Sequence, residues 1–565
     1  MVAIDCQPIS MVEDVGFRQV LKLLEPRYQC PSRKYFTETI IPKIYSRMKE
    51  EVVRLINSCD DESYLSFTMD AWSSSVNDTA LLSLTAHWID SQFKRVSAVL
   101  NAQCLTEAHT GEYIAAQVLS MLEKWEIALQ RVHLVITDNA SNMAKAMRDA
   151  SLPHFGCFAH SLQLAINDGL LSQKIVKDII AICKSIVGNF HRSSVASHNL
   201  KRIQESLNIP QHKLKQNVQT RWNSTCYMLT SVQEQKMALA AYAAENSGVQ
   251  QLSSHQLDVM KRVIEILSPV EEITRSISAD LAAISIVIPY IRILTRALEK
   301  NTDDSGIRTM KRKLLHSLKL RFNRIEENKK LSLATFLDPR FKDKFFSSNI
   351  VKATIKEILL EEMSKLDTGL QGNTEMEGPT RPKRVCPLKS SILLDVFSEI
   401  VADSSEDLPT SISEVDRYLS VPLIDFNTGN PFMWWSQHCQ EFPILSKLAR
   451  QFLSAPATSV PSERLFSAAG DLHDEKRNRI MPELSEELLF IKNNFVLVAY
   501  ELSSGALEMD EIEVANVDAD DLTNASFSTA SEEQPEKQCL LKVDMESCTF
   551  GSFTAKEMYK LYHQA

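Results

Sequence analysis

Leu65-Ser66-Phe67-Thr68-Met69-Asp70 is the stretch on which the fold turns. Apolar side chains fall at every second position with polar ones between them, the period of a β-strand, and the run closes on an acid. Before it the chain reads as short helices: Phe17, Leu21 and Leu24 share one face, and Ile44 and Met48 share another after Pro42. After it come two further strand-like runs, Leu82, Leu84, Ala86 and Trp88, then Arg95 to Leu100, with a polar turn at Asp90 to Gln92 between them. Together these three predict an antiparallel meander. Thr110 next caps a helix that carries Ile114, Val118, Met121 and Trp125 on one face. The near-continuous apolar run from Val132 to Ile136 then predicts a strand buried on both faces, and Asp138 follows it.

Three antiparallel strands, a helical crossover and a central buried strand are the order of a ribonuclease H-like sheet. The expected fold class is therefore α/β: a ribonuclease H-like mixed sheet interrupted by a large all-α insertion domain. Helical periodicity dominates from about Ser172 to about Ser420, for example Val263, Ile266 and Leu267, then Ile284, Ile286, Ile288 and Ile291. The organisation expected is a helical region over 1–60, the first part of the core over 61–171 and the insertion over 172–430 with a disordered linker near 367–389. The rest of the core then covers 431–500, a span to which the family resemblance set out below also assigns a dimerisation region, and a mostly disordered acidic tail covers 501–565. The linker holds the basic run Arg381-Pro382-Lys383-Arg384, readable as a nuclear-import signal or, more commonly, as solvated linker charge.

Bulk properties bound the function. With 44% hydrophobic and 24% charged residues the 565-residue chain can build several packed cores. The sequence offers no secretory h-region and no apolar stretch of bilayer-spanning length, so an intracellular, non-membrane protein is expected. Its 11 cysteines form no C-x-x-C pair, which predicts reduced thiols and no structural zinc. His154, Cys157 and His160 offer at most three soft ligands with no fourth in view. A net charge of −10 confines any phosphate-binding surface to local patches.

Asp70 and Asp138 each end a predicted strand. Taken singly, such an acid is more often a turn former or a helix cap. Taken together on neighbouring strands, two carboxylates repel each other and favour a divalent cation, Mg²⁺ or Mn²⁺ by the hardness of their oxygens. The third acid expected is Glu463, in Ser459-Val460-Pro461-Ser462-Glu463-Arg464-Leu465-Phe466-Ser467, a short helix with proline in its first turn and Gly470 just past its end. Near Trp222, Lys213, Lys215 and Arg221, and further on Lys476, Arg477 and Arg479, are phosphate contacts or a solvated face. Leu484, Leu488, Ile491 and Phe495 fall at helical spacing and must bury their stripe on the core or on a partner.

Five motifs, in order and spacing over roughly residues 10 to 500, resemble the hAT family of DNA transposases: Asp70-Ala71-Trp72-Ser73, Thr137-Asp138-Asn139-Ala140-Ser141-Asn142, Cys157-Phe158-Ala159-His160, Thr220-Arg221-Trp222-Asn223-Ser224, and the stretch from Phe452 to Phe495. The resemblance implies that Asp70, Asp138 and Glu463 form an acidic metal triad for DNA cleavage and joining. It also implies that Trp222, helped by Arg221, stacks on a base pushed out of the duplex, that His160 borders the scissile phosphate, and that the C-terminal stretch, with Leu484, Leu488, Ile491 and Phe495, dimerises. A buried core tryptophan is the alternative for Trp222. Members of the family usually begin with a BED zinc finger, and no such Cys and His arrangement precedes the helical start of this sequence. The expectation drawn is a nuclear, dimeric, DNA-associated protein domesticated from a transposase and acting in transcriptional or chromatin regulation. The alternatives are an active cut-and-paste transposase using two divalent ions and a dimerisation scaffold that binds no DNA.

Overall fold

The computed structural model describes residues 1–58, 64–74, 78–218, 222–246, 248–279, 282–300, 304–366, 392–402, 413–473 and 480–503. The linker near 367–389, its basic run and the tail beyond 503 lie outside these residues. Five strands form one mixed sheet: β1 (Leu65–Ser73), β2 (Ala80–Ile89), β3 (Arg95–Cys104), β4 (Val132–Thr137) and β5 (His154–Gly156). Their order across the sheet is β3-β2-β1-β4-β5. The first three pair antiparallel, whereas β4 joins β1, and β5 joins β4, in parallel.

The meander and the buried fourth strand are where the residue pattern puts them, and the fold is ribonuclease H-like. The crossover helix Gly111–Lys124 starts on Thr110, whose side chain accepts the Tyr113 N–H. This cap and the apolar stripe of Ile114, Val118, Met121 and Leu122, all buried, bind the crossover to the sheet. Leu65, Phe67 and Met69 are almost fully buried with them, each worth roughly 1.5–3 kcal/mol. The polar face of β1 is buried as well. Ser66 bonds the Ser454 hydroxyl at 2.7 Å, and Thr68 meets His87 at 3.0 Å and Ser462 at 3.2 Å.

β3 is an edge, and the C-terminal helix Pro482–Ser503 covers it. Exposed strand edges invite pairing with other chains, and here a side chain takes the place of a neighbouring strand. Asn494, fully buried, accepts the Val99 N–H at 3.0 Å and donates to the Val99 carbonyl at 2.8 Å. The register shifts at this point, Leu84 facing Asn101 and Thr85 facing Val99. The same helix packs on the N-terminal helix Ile41–Asn57, with the rings of Tyr45 and Phe490 at 4.9 Å.

Every assigned element between Lys174 and Ser420 among the described residues is helical. No described helix is long and apolar enough to cross a membrane. The helical part and the sheet meet at Ala455 to Ser459, whose backbone is shared. Ile284 donates its N–H to the Ala455 carbonyl and Ala457 donates to Ala282, while Phe158 donates to Ala457 from the other side.

Candidate functional site

Strand register brings the first two acids together. In the parallel β1/β4 ladder Thr68 pairs with Ile136, so two residues further on Asp70 stands beside Asp138. Adjacent strands lie about 4.8 Å apart, which makes the two carboxylates neighbours at the rim. Asp70 is partly buried. One of its oxygens accepts the N–H of Ala71 at 2.9 Å, and its main chain brackets the Ser83 hydroxyl at 3.2 Å. Its carboxyl is pushed up to about 7, first by burial and then by the charge of Asp138. The Ala71 N–H opposes the rise, and Glu463 adds to it. Glu463 is thus within electrostatic reach of Asp70, although 393 residues separate them in sequence.

Asp138 also organises its own turn, accepting the Ala140 N–H at 3.1 Å ahead of the helix Ser141–Asp149. Its neighbour Asn139 donates to Ser161 at 2.9 Å across Gly156, where an added Cβ would stand 2.0 Å from the Asn139 oxygen. Thr137 bonds His154 at 2.8 Å, and burial holds this imidazole below its usual range against the pull of Asp138. Beside this turn opens a cleft of about 280 Å³ lined by Asn139, Phe155, Gly156, Ser161, Arg321 and Arg324 among others.

Glu463 is exposed in the first turn of the helix Val460–Leu472. The helix continues through Gly470 to Leu472 and does not stop where glycine was expected to end it. Gly470 is exposed with an open Cβ direction, so nothing there forces a break. Cys157, set beside His154 and His160 by its spacing, has a different partner. It is buried and its sulfur accepts the Ser459 N–H at 3.4 Å, which fixes the approach to the Glu463 helix. Burial pushes this thiol up, and the Ser459 hydroxyl, followed by the N–H groups of Ser459 and His160, opposes the rise. His160 is exposed in the first turn of the helix Phe158–Leu170. Among the described residues, no three His, Cys, Asp or Glu side chains are gathered closely enough to hold one ion between them.

Other expected site residues sit differently. Trp222 begins the helix Trp222–Glu234 but is only 5% exposed, packed into the helical core. A ring so enclosed presents no free face in this structure, in keeping with the core alternative raised for it. Leu488 and Ile491 are buried in their own chain and Leu484 packs partly against the same core, because their stripe covers β3 and the N-terminal helix. Of that set only Phe495 faces outward, 47% exposed beside Val496 at 61%. Lys213 and Lys215 are exposed, the latter with its ammonium 5.2 Å from the centre of the Tyr227 ring. Arg221, Lys476, Arg477 and Arg479 lie outside the described residues. Sequence reasoning missed Ser66, Thr68, Ser454 and Ser462, since small hydroxyls carry no periodic signal that foretells a partner nearly 400 residues away.

Three family matches cover the same parts of the chain. Residues 68–153 match the ZBED1 RNase-like domain, 155–266 the ZBED1 RNase-like helical domain, and 414–495 the hAT family C-terminal dimerisation region. Zinc finger BED domain-containing protein 4 of Homo sapiens is 29% identical over 89% of the chain and 43% of its own length. Zinc finger BED domain-containing protein 6 of Homo sapiens is 26% identical over 90% of the chain and 56% of its own. A Zea mays relative bearing an AC transposase name is 24% identical over 86% and 63%. The chain thus spans about half the length of the curated relatives it matches. These matches together support a hAT/ZBED-like protein.

Proposed function

We propose that this protein is a self-associating, DNA-associated nuclear regulator derived from a transposase, with a divalent-cation edge at Asp70 and Asp138. The observation that carries the reading is the pairing of these two acids at adjacent strand ends, with Asp70 pushed up to about 7 by burial, Asp138 and, less, Glu463. Such an edge gains from a cation that relieves the repulsion. The donor set fits Mg²⁺ or Mn²⁺, which take one or two carboxylates and keep several waters. Asp70 and Asp138 would hold the ion and Glu463 would stand beside it. Such an ion supplies charge stabilisation to phosphodiester oxygens.

The names of the relatives support regulation in the nucleus, several being BED zinc finger proteins and one a transcriptional regulator. The dimerisation-region match supports self-association. The cleft beside Asp138, with Arg321 and Arg324 on its wall, suits a phosphate backbone, although each arginine already pairs with an acid, Asp168 and Glu327 respectively. In this reading the edge binds a nucleic acid and its ion without cutting.

Presence of all three acids favours a second reading, an active transposase. Incubation of the purified chain with duplex DNA and Mg²⁺ separates the two. The proposal expects salt-sensitive retention of DNA on a filter with no nicking. Metal-dependent nicking abolished by Asp138→Ala would establish the second reading instead, and absence of salt-dependent binding would leave a dimerisation scaffold.

A further inference from the structure

A line of buried polar contacts runs through the sheet to the base of the Glu463 helix. His87 on β2 bonds Ser97 of β3 through Nδ1 at 2.8 Å and Thr68 of β1 through Nε2 at 3.0 Å. Ser462 donates to Thr68 Oγ1 at 3.2 Å. Thr68, His87 and Ser462 are all fully buried. With the Ser462 proton on Thr68 Oγ1, the Thr68 proton is free for His87 Nε2, and the network assigns the remaining imidazole proton to Nδ1. Burial and Arg95 hold His87 well below its usual range, in keeping with a neutral ring.

The position of this line in the fold gives it a purpose. Thr68 lies two residues before Asp70, and Ser462 immediately precedes Glu463. The bond between their hydroxyls therefore ties the strand bearing Asp70 directly to the helix bearing Glu463. Two flanking contacts fix the same segment: Ser66 to Ser454 at 2.7 Å and the Ser459 N–H to Cys157 at 3.4 Å. A helix start seated only on apolar atoms could slide along the sheet, whereas directional bonds at 454, 459 and 462 set its register. Buried hydroxyls are costly unless paired, so an apolar pair of the same shape would serve packing alone at least as well.

We propose that Thr68 and Ser462 are positioning residues: their buried hydroxyl pair, backed by His87, holds Glu463 beside a divalent cation bound at Asp70 and Asp138. This rests on the cation-edge reading above, and the test keeps the two apart. The probe is Tb³⁺ alone, titrated into the full chain, with emission sensitised by Trp72, two residues beyond Asp70. The cation edge predicts saturable emission lost in Asp70→Asn and Asp138→Asn; without it both ideas fall.

Given that emission, Thr68→Val, which keeps the shape and removes the hydroxyl, is expected to weaken Tb³⁺ affinity about tenfold, the lower end of what loss of a ligand-supporting partner produces. Thr68→Ser is expected to retain affinity. Glu463→Gln is expected to show the same loss as Thr68→Val, and the double variant no more than either. Ser462→Ala is the second route to the same loss, read alongside the near-ultraviolet dichroism of its tryptophans. Should Thr68→Val and Ser462→Ala bind Tb³⁺ like the parent while Glu463→Gln binds weakly, or should the losses of Thr68→Val and Glu463→Gln multiply, the clamp is refuted with the cation edge left standing.

Discussion

Replacing Asp70 by Asn should make the protein more stable at pH 8 and leave it unchanged at pH 4. The Asp70 carboxyl is raised from 3.8 to about 7, with burial and the Asp138 charge as the leading causes. A folded-state value above the unfolded one means that the native protein holds the proton more tightly, so the associated stability is complete below 3.8 and is lost as pH rises through about 7. The difference of about three units, at 1.36 kcal/mol per unit, corresponds to about 4 kcal/mol; solvent reaching the partly exposed carboxylate reduces this, and about 2–4 kcal/mol is expected. Asparagine keeps the shape of the neutral acid and escapes the penalty. Urea melts of both proteins in EDTA, followed by tryptophan fluorescence at pH 4 and pH 8, measure the gain. Mg²⁺ in place of EDTA should narrow the gap at pH 8, because the ion stabilises only the protein with both carboxylates. A variant less stable than its parent at pH 8, or equally stabilised at both pH values, would show that Asp70 is not held against its charge and would remove the physical basis of the cation edge.

Asn494→Ala strands the buried Val99 N–H and carbonyl and is expected to cost about 2–4 kcal/mol by urea melting, whereas Asn493→Ala, which loses only a bond to its own helix at Leu489, should cost under about 1 kcal/mol. Gly156→Ala sets a Cβ against the Asn139 oxygen and should lose about 1–3 kcal/mol, most of it recovered in the double variant with Asn139→Ala. Phe495→Ser with Val496→Ser should weaken self-association in sedimentation without lowering the melting midpoint. Leu488→Ala should lower stability by about 2–5 kcal/mol, a loss of core packing.

How much of this was legible in sequence depends on the range of the interaction. The alternation from Leu65 to Asp70 and the apolar run from Val132 were enough for the sheet order, because each strand declares its burial locally and parallel pairing of the first and fourth follows from the crossover. That order carried both aspartates to one rim. β5, three residues long, has no period to read, and its place depends on the Thr137–His154 and Cys157–Thr137 bonds. The stripe of Leu484, Leu488 and Ile491 announced that it must be covered, but not by what; periodicity gives a face and never its partner. Trp222 illustrates the same limit, since an aromatic at a helix start looks alike whether it meets a base or a core. Serines at 454 and 462 and the thiol of Cys157 were invisible for a further reason: their value lies in bonds spanning 302 to 394 residues.

The shared backbone at Ala455 to Ser459 also bears on how this molecule can be cut or respond. Its carbonyls at 455 and 457 are taken by Ile284 on one side and Phe158 on the other, and the run is buried throughout. Excising the helical half to leave the sheet alone would strip one wall from the short run that leads into the Glu463 helix. Conversely, a substitution at Ala282 or Ile284 would be felt first at this run, which leads directly into the helix that carries Glu463.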